Sequence, residues 1–135
     1  RTEILPKLME TLQFNRSEEK PIRIFEVGDV ISLEPSVETG AVRELHVAAA
    51  SYYEDADFTE IRSTMDFIMT SLGLRDQFKI IPGEDKTYID GRCGQIMLNG
   101  EKIGTIGEIH PEVLINFKLE FPVASFELTL QSLLE

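Results

Sequence analysis

Four acidic side chains lie close together in the sequence, at Glu54, Asp55, Asp57 and Glu60. Carboxylates are ligands that Ca²⁺ and Mg²⁺ prefer, but this segment lacks the repeating oxygen pattern and the turn glycine of a dedicated calcium loop. Asp57 and Glu60 instead have the spacing of a capping box, in which carboxylates satisfy backbone N–H groups at the start of a helix. We therefore predict a helix N-terminus here and no metal site.

The two histidines and the single cysteine are the other candidates for catalysis. His46 lies in the middle of a strand-like stretch and His110 precedes a proline, and neither has a serine or cysteine partner at an informative spacing. We expect packing or turn roles for both. Cys93 is the only cysteine, so the chain cannot form an internal disulfide or a thiolate cluster, and we expect a buried, unreactive thiol.

A glycine-arginine element, Gly91-Arg92-Cys93-Gly94, has the composition of a phosphate-binding nest. Its place just before a hairpin favours a turn that leads into a strand instead. In that position Arg92 can pair with an acid across the sheet. None of these candidates supports a catalytic assignment, and we predict no catalytic residue in this chain.

The spacing of apolar residues predicts the helices and strands in the first half of the chain. Leu5, Leu8, Met9 and Leu12 recur at spacings of three and four, which predicts an amphipathic helix with Pro6 in its first turn. A strand follows Pro21. Asp57 starts a second helix, which has one apolar stripe and is closed by Gly73.

The rest of the chain reads as strands with one short helix. The dipeptide Asn99-Gly100 accepts the positive φ angles of a two-residue hairpin turn between apolar segments. Pro111 begins a short helix, and the stretch around Phe126 forms a further strand. This order is not the strict alternation of a parallel sheet. We therefore predict an α+β fold, an antiparallel sheet flanked by helices.

Composition limits the domain organisation and the class of partner. A length of 135 residues with 42% hydrophobic content suits a single domain, 1–135, and the chain reads as a fragment of a longer protein. No apolar run approaches the roughly 20 residues of a spanning helix and there is no signal peptide, so we expect a cytoplasmic location. The net charge of −11 opposes binding to a polyanion such as a nucleic acid.

Three segments carry a resemblance to a known family. They run from Gly104 through Gly107-Glu108-Ile109-His110-Pro111 to Leu128, from Arg1 to Pro6, and from Arg23 to Val30. Together they resemble the β subunit of phenylalanyl-tRNA synthetase of the archaeal and eukaryotic cytosolic type, over essentially the whole chain. The resemblance implies a domain similar to the catalytic core of class II aminoacyl-tRNA synthetases.

Class II cores resemble one another in three places, and two of them are altered in this sequence. Where an Arg and a nearby Glu would hold ATP, Arg23 and Glu26 are three residues apart, which on a strand sends them to opposite faces. Where a glycine-rich strand would end in Arg, the segment from Ser125 to Leu130 has neither glycine nor arginine. A triphosphate requires convergent positive groups, so we expect a catalytically silent copy.

The resemblance also implies a partner. In this family the α subunit holds ATP and Mg²⁺ and charges tRNA(Phe) with phenylalanine, and two α and two β subunits form a heterotetramer. No cofactor is expected on this domain, and tRNA contacts are expected from other domains. The helix-then-strand arrangement implies that the first helix packs against the α subunit. We therefore expect an exposed interface patch at Leu5, Leu8, Met9 and Leu12, through which the isolated fragment can also self-associate.

Two other functions remain open at this stage. The chain could be an active adenylate-forming enzyme whose motifs lie elsewhere. It could also be a regulatory or small-molecule-binding domain with a class II synthetase-like fold, with its ligand in a groove between Arg23, Glu26 and the second strand. Binding of Mg-ATP distinguishes the first of these from a silent domain.

Overall fold

The fold is a six-stranded antiparallel sheet with helices on both faces, which confirms the predicted α+β class. It is seen in a computed structural model that describes residues 3–33 and 41–133. The strands are ordered β1-β2-β6-β5-β4-β3 across the sheet. Their bounds are β1 Ile22–Leu33, β2 Ala41–Tyr52, β3 Phe78–Pro82, β4 Tyr88–Leu98, β5 Glu101–Ile109 and β6 Val123–Thr129. The helices are α1 Leu5–Phe14, α2 Phe58–Ser71 and α3 Pro111–Asn116, and a 3₁₀ turn covers Gln131–Leu133.

Each face of the sheet has its own apolar core. On one face, α1 and α3 cover the small residues Ala48 and Ala50 of β2 together with Tyr52 and Ile109. On the other face, α2 covers the central strands, and its buried side chains pack on a second group of apolar residues: Ala49, Ile96, Leu98, Ile103, Ile106, Ala124, Phe126 and Leu128. Val123 of β6 packs in the first core and Ala124 in the second, because successive side chains of a strand point to opposite faces of the sheet.

Local sequence signals account for most element ends. Asp57 accepts the backbone N–H of Glu60 at the start of α2, and Gly73 has a φ of 74° just beyond its end. Asn99 and Gly100 both have positive φ, at 51° and 85°, between β4 and β5. Both predictions are confirmed, because a side chain cap and a left-handed residue are local devices that need no distant partner.

One turn prediction is wrong. Gly91-Arg92-Cys93-Gly94 does not form a turn leading into a strand, because β4 begins at Tyr88 and includes all four residues. The register between β4 and β5 shifts between Tyr88 and Cys93, and Gly91 has a φ of 82° within that irregularity. Glycine tolerates this conformation, so the strand continues through a bulge instead of stopping.

The helices of the described residues are short. None of them is long and apolar enough to cross a membrane.

Candidate functional site

The first helix begins on a carboxylate from the other end of the chain. Ile4 precedes α1 and has no polar side chain with which to cap it. Glu127 of β6 takes that role: its carboxylate accepts the backbone N–H of Ile4 at 2.9 and 3.0 Å and that of Leu5 at 2.8 Å. The positive end of the helix is therefore occupied by a negative charge that the chain itself supplies.

His46 of β2 completes this cluster. Its Nδ1 lies 2.7 Å from Glu127 Oε2, and its Nε2 lies 2.9 Å from Glu44 Oε2. Both ring nitrogens thus face carboxylates and the side chain is largely buried. A histidine held at both ends has a structural role, in agreement with the packing role expected for it.

The small cavity beside the cluster is acidic. It has a volume of about 190 Å³ and is lined by Glu3, Asp85, His46 and Glu127 among others. Partial burial raises the pKa of Glu3, and the nearby carboxylates of Glu127 and Asp85 raise it further. The described lining of this cavity contains three carboxylates and no lysine or arginine.

The opposite face has a matching arrangement at α2. Glu108 of β5 accepts the backbone N–H of Phe58 at 2.9 Å and pairs with Arg92 Nη1, also at 2.9 Å. Arg92 thus pairs with an acid on the neighbouring strand, a possibility that the sequence left open. Each of the neighbouring strands β5 and β6 thus holds the start of one helix against one face of the sheet through a carboxylate, buried at Glu108 and half-buried at Glu127. Each carboxylate interrupts an otherwise apolar stretch, which is the one sequence signal that marks it.

Arg23 and Glu26 lie on opposite faces of β1, as the three-residue spacing predicts. Arg23 Nη2 lies 3.1 Å from Glu60 Oε2 on the α2 side, and its guanidinium lies over the ring of Tyr53. Glu26 Oε1 lies 3.0 Å from Lys7 Nζ on the α1 side. The prediction of a ligand groove between Arg23 and Glu26 is therefore wrong, because the two side chains lie on opposite faces of the sheet.

The prediction of an exposed apolar patch on α1 is also wrong. Leu5, Leu8, Met9 and Leu12 are at most 5% exposed, and all four belong to the core between α1 and the sheet. The helix presents its apolar stripe to Ala48 and Ala50, whose small side chains let it approach closely. These four residues hold the domain together and are not a surface for a partner.

The remaining candidates have structural roles. His110 caps α3, where its Nδ1 accepts the backbone N–H of Glu112. Cys93 is buried, and burial raises the pKa of its thiol, which lowers the fraction of reactive thiolate. Within residues 3–33 and 41–133, no group of three or more His, Cys, Asp or Glu side chains has the geometry to hold a metal ion.

Tyr88 provides a test of the core on the α1 side. Its ring is buried, its hydroxyl lies 3.2 Å from Ser125 Oγ, and burial raises the pKa of that hydroxyl above its usual value of 10.0. Above about pH 10 the unfolded chain loses a proton that the folded chain retains, so the free energy of unfolding must fall with pH by up to about 1.4 kcal/mol per unit. Below about pH 10 both the folded and the unfolded chain keep this proton, so Tyr88 does not make the free energy of unfolding depend on pH.

We expect Tyr88→Phe to remove this alkaline loss of stability. Urea denaturation followed by far-UV circular dichroism between about pH 8 and about pH 11 measures it. Ser125→Ala is the control, because it removes the hydrogen-bond partner and keeps the phenol, so the alkaline loss should remain. Equal pH dependence of Tyr88→Phe and the unsubstituted chain would contradict the assignment.

Comparisons with known proteins agree on one family. The family described as the phenylalanyl tRNA synthetase beta chain CLM domain matches residues 1–130. A phenylalanine–tRNA ligase β subunit of Methanococcoides burtonii is 42% identical over 130 residues, and one of Thermococcus onnurineus is 44% identical over 130 residues. Each alignment covers 96% of this chain and 22% of the relative. The chain thus spans less than a quarter of the length of these relatives.

Solved structures agree on the fold. Two structures of pyrrolysyl-tRNA synthetase from Desulfitobacterium hafniense superpose with TM-scores of 0.79 and 0.78, at 17% and 16% identity. Both superpositions cover 99% of this chain and 48% of the other. The likeness confirms the expected fold, that of the core of a class II synthetase.

Proposed function

This chain belongs to the CLM-domain family of phenylalanyl-tRNA synthetase β chains, and from that membership we propose that it is a non-catalytic copy of the synthetase core. Its role is to support the ATP-dependent charging of tRNA(Phe) with phenylalanine through subunit assembly. The α subunit carries out the reaction and holds ATP and Mg²⁺. Two α and two β subunits form a cytoplasmic heterotetramer, in which other domains make the tRNA contacts.

The main support for the proposal is the position of the Glu127 carboxylate, at the N-terminus of α1. A catalytic copy needs cationic groups and Mg²⁺ around the phosphates of ATP, because the transition state of adenylate formation is stabilised by positive charge. In this chain the strand that would border the nucleotide presents a carboxylate, which is already bound to the N-terminus of α1. Glu3, Asp85 and Glu44 add further negative charge nearby.

The two arginines that the sequence analysis considered lie away from Glu127. Arg23 pairs with Glu60 on the α2 side of the sheet, whereas Glu127 lies on the α1 side. Arg92 is engaged by Glu108. Neither guanidinium can reach a phosphate bound beside Glu127, and a clamp needs both charge and convergence. The space under α1 is in turn filled by the domain's own apolar side chains.

Titration of this chain with Mg-ATP in a calorimeter tests the silent assignment, and the α subunit is the positive control. We expect no heat of binding at millimolar ATP and no aminoacyl-adenylate. Micromolar binding of ATP, or adenylate produced by these residues alone, would contradict the proposal. Co-expression with the α subunit tests the assembly role separately, and we expect the two chains to co-purify.

A further inference from the structure

One groove on this acidic chain is lined mainly by positive charge. It lies between the outer side of α2 and the segment that leads into β3, and it has a volume of about 520 Å³. Its cations are Arg62 of α2, Arg75 of the connecting turn and Lys79 of β3, and Asp66 is the one carboxylate among its described lining residues. Because the chain as a whole has a net charge of −11, the groove has the opposite sign to the rest of the molecule.

The three cations of the groove are available to a partner. All three side chains are exposed, and none of them forms an ion pair in the part of the chain that the structure describes. In contrast, Lys7, Arg23 and Arg92 each pair with a carboxylate of the domain. The charge of the groove is therefore not neutralised by the chain's own acids.

The turn that carries Arg75 is fixed against the end of α2. Gly73 has a φ of 74°, and the backbone N–H of Leu74 donates to the carbonyl oxygen of Met69 at 2.8 Å, which is the hydrogen bond of a Schellman motif. The backbone N–H of Gln77 then donates to the carbonyl oxygen of Leu74 at 2.9 Å, just before β3 begins. The backbone wall of the groove is therefore formed in the free chain.

An exposed aromatic ring lies among these charges. Phe67 of α2 lines the groove and is 74% exposed, and the half-buried Phe78 lines it from the β3 side. A phenylalanine left largely in water contributes little to folding, but it buries apolar area when a partner covers it. The groove thus combines three cations with one apolar contact point.

We propose that this groove binds an acidic segment of another polypeptide. Carboxylates of that segment pair with Arg62, Arg75 and Lys79, and an apolar side chain of the segment packs on Phe67. A guanidinium can form two parallel hydrogen bonds with one carboxylate, so two arginines suit such a partner better than two lysines would. A segment with two or three carboxylates balances the charge of the groove.

A nucleic acid matches the groove less well. A bound strand carries a phosphate on every nucleotide, and those that extend past the three cations meet a chain with a net charge of −11. Proteins that bind single strands also stack successive bases on several aromatic rings, whereas Phe67 is the one exposed ring in the described lining of this groove. A short peptide can end within the groove and avoid that repulsion.

Fluorescence anisotropy with a labelled peptide tests the proposal. The probe is a short fluorescein-labelled peptide of glutamate and leucine, and the control peptide has glutamine at every glutamate position. We expect saturable binding of the acidic peptide in the micromolar range, which weakens as salt is added. The glutamine peptide should not bind, because it lacks the carboxylates.

Charge reversal locates the site on the chain. Arg62→Glu and Lys79→Glu should each weaken binding of the acidic peptide by about tenfold or more. Lys102→Glu is the matched control, because Lys102 is an exposed lysine of β5 outside the groove and its replacement changes the net charge equally. The control should change the affinity by less than about twofold, since screening by salt weakens distant charges.

Removal of the aromatic ring tests the apolar contact. Phe67→Ser should weaken binding by about fivefold, whereas Phe14→Ser, at a position 87% exposed beyond the groove, should leave it unchanged. Since all the substituted side chains are exposed, the variants should keep the far-UV circular dichroism and the urea midpoint of the unsubstituted chain.

Two results would overturn the proposal. One is the absence of saturable binding of the acidic peptide, or an equal loss of affinity in Arg62→Glu and in the control Lys102→Glu. The other is tighter binding of a single-stranded RNA oligonucleotide that Arg62→Glu and Lys79→Glu also weaken, because the groove would then be a nucleic-acid site.

Discussion

Replacing Gly104 with alanine is expected to destabilise the fold by about 3 kcal/mol or more. A Cβ at this position would lie 2.7 Å from Cα of Leu128 and closer still to the carbonyl oxygen of Glu127. Both are backbone atoms of β6, which pairs with β5 at this point. A flexible side chain could move aside, but these atoms can retreat only if the ladder between the two strands opens.

Urea denaturation of Gly104→Ala measures this effect, and Gly83→Ala is the matched control. At Gly83 the nearest atom to an added Cβ is Cγ of Gln95, at 2.9 Å, and the nearest backbone atom, N of Gln95, is at 3.3 Å, so the backbone is less crowded than at Gly104. We expect the control to stay within about 1 kcal/mol of the unsubstituted chain. Equal stability of the two variants would show that the close approach of β5 and β6 does not exclude a side chain at position 104.

Removing the carboxylate of Glu127 should have an effect of similar or larger size. Glu127→Ala leaves the N–H groups of Ile4 and Leu5 without their acceptor and takes away one partner of His46. A donor that loses its partner away from solvent costs about 1–3 kcal/mol, and Glu127 accepts from two backbone N–H groups besides its contact with His46. We expect a total loss of about 3–5 kcal/mol, with Glu127→Gln in between because the amide keeps one acceptor.

Hydrogen exchange gives this prediction a local readout. The amides of Ile4 and Leu5 should lose protection in Glu127→Ala, while amides of β3 and β4 should change only with global stability. Glu120→Ala is the control, because Glu120 is also acidic but exposed. Unchanged protection at Ile4 and Leu5 would show that α1 does not depend on this carboxylate.

The sequence alone predicts those parts of the structure that depend on neighbouring residues. Asp57 caps a helix three residues away, and Asn99-Gly100 bends the chain within two residues. The opposite directions of Arg23 and Glu26 follow from the pleat of a single strand. Each of these predictions needs only local geometry, and each is confirmed.

The parts that failed or were missed depend on distant residues. Periodicity shows that Leu5 and Leu12 share an apolar face, but it cannot show that the domain's own sheet covers that face. The roles of Glu127 and Glu108 depend on backbone groups 122 and 50 residues away along the chain. A charged residue in an apolar strand signals a buried partner, but the partner is identified only when the strands are placed.

The position of β6 has a consequence for synthesis on the ribosome. Among the six strands of the described residues, β6 is made last, yet it lies between β2 and β5 and carries the group that completes α1. Until it emerges, the nascent polypeptide can assemble only two separate halves, β1 with β2 and β3 with β4 and β5. β6 must then pair with a strand of each half, so the six-stranded sheet closes only after this strand has been made.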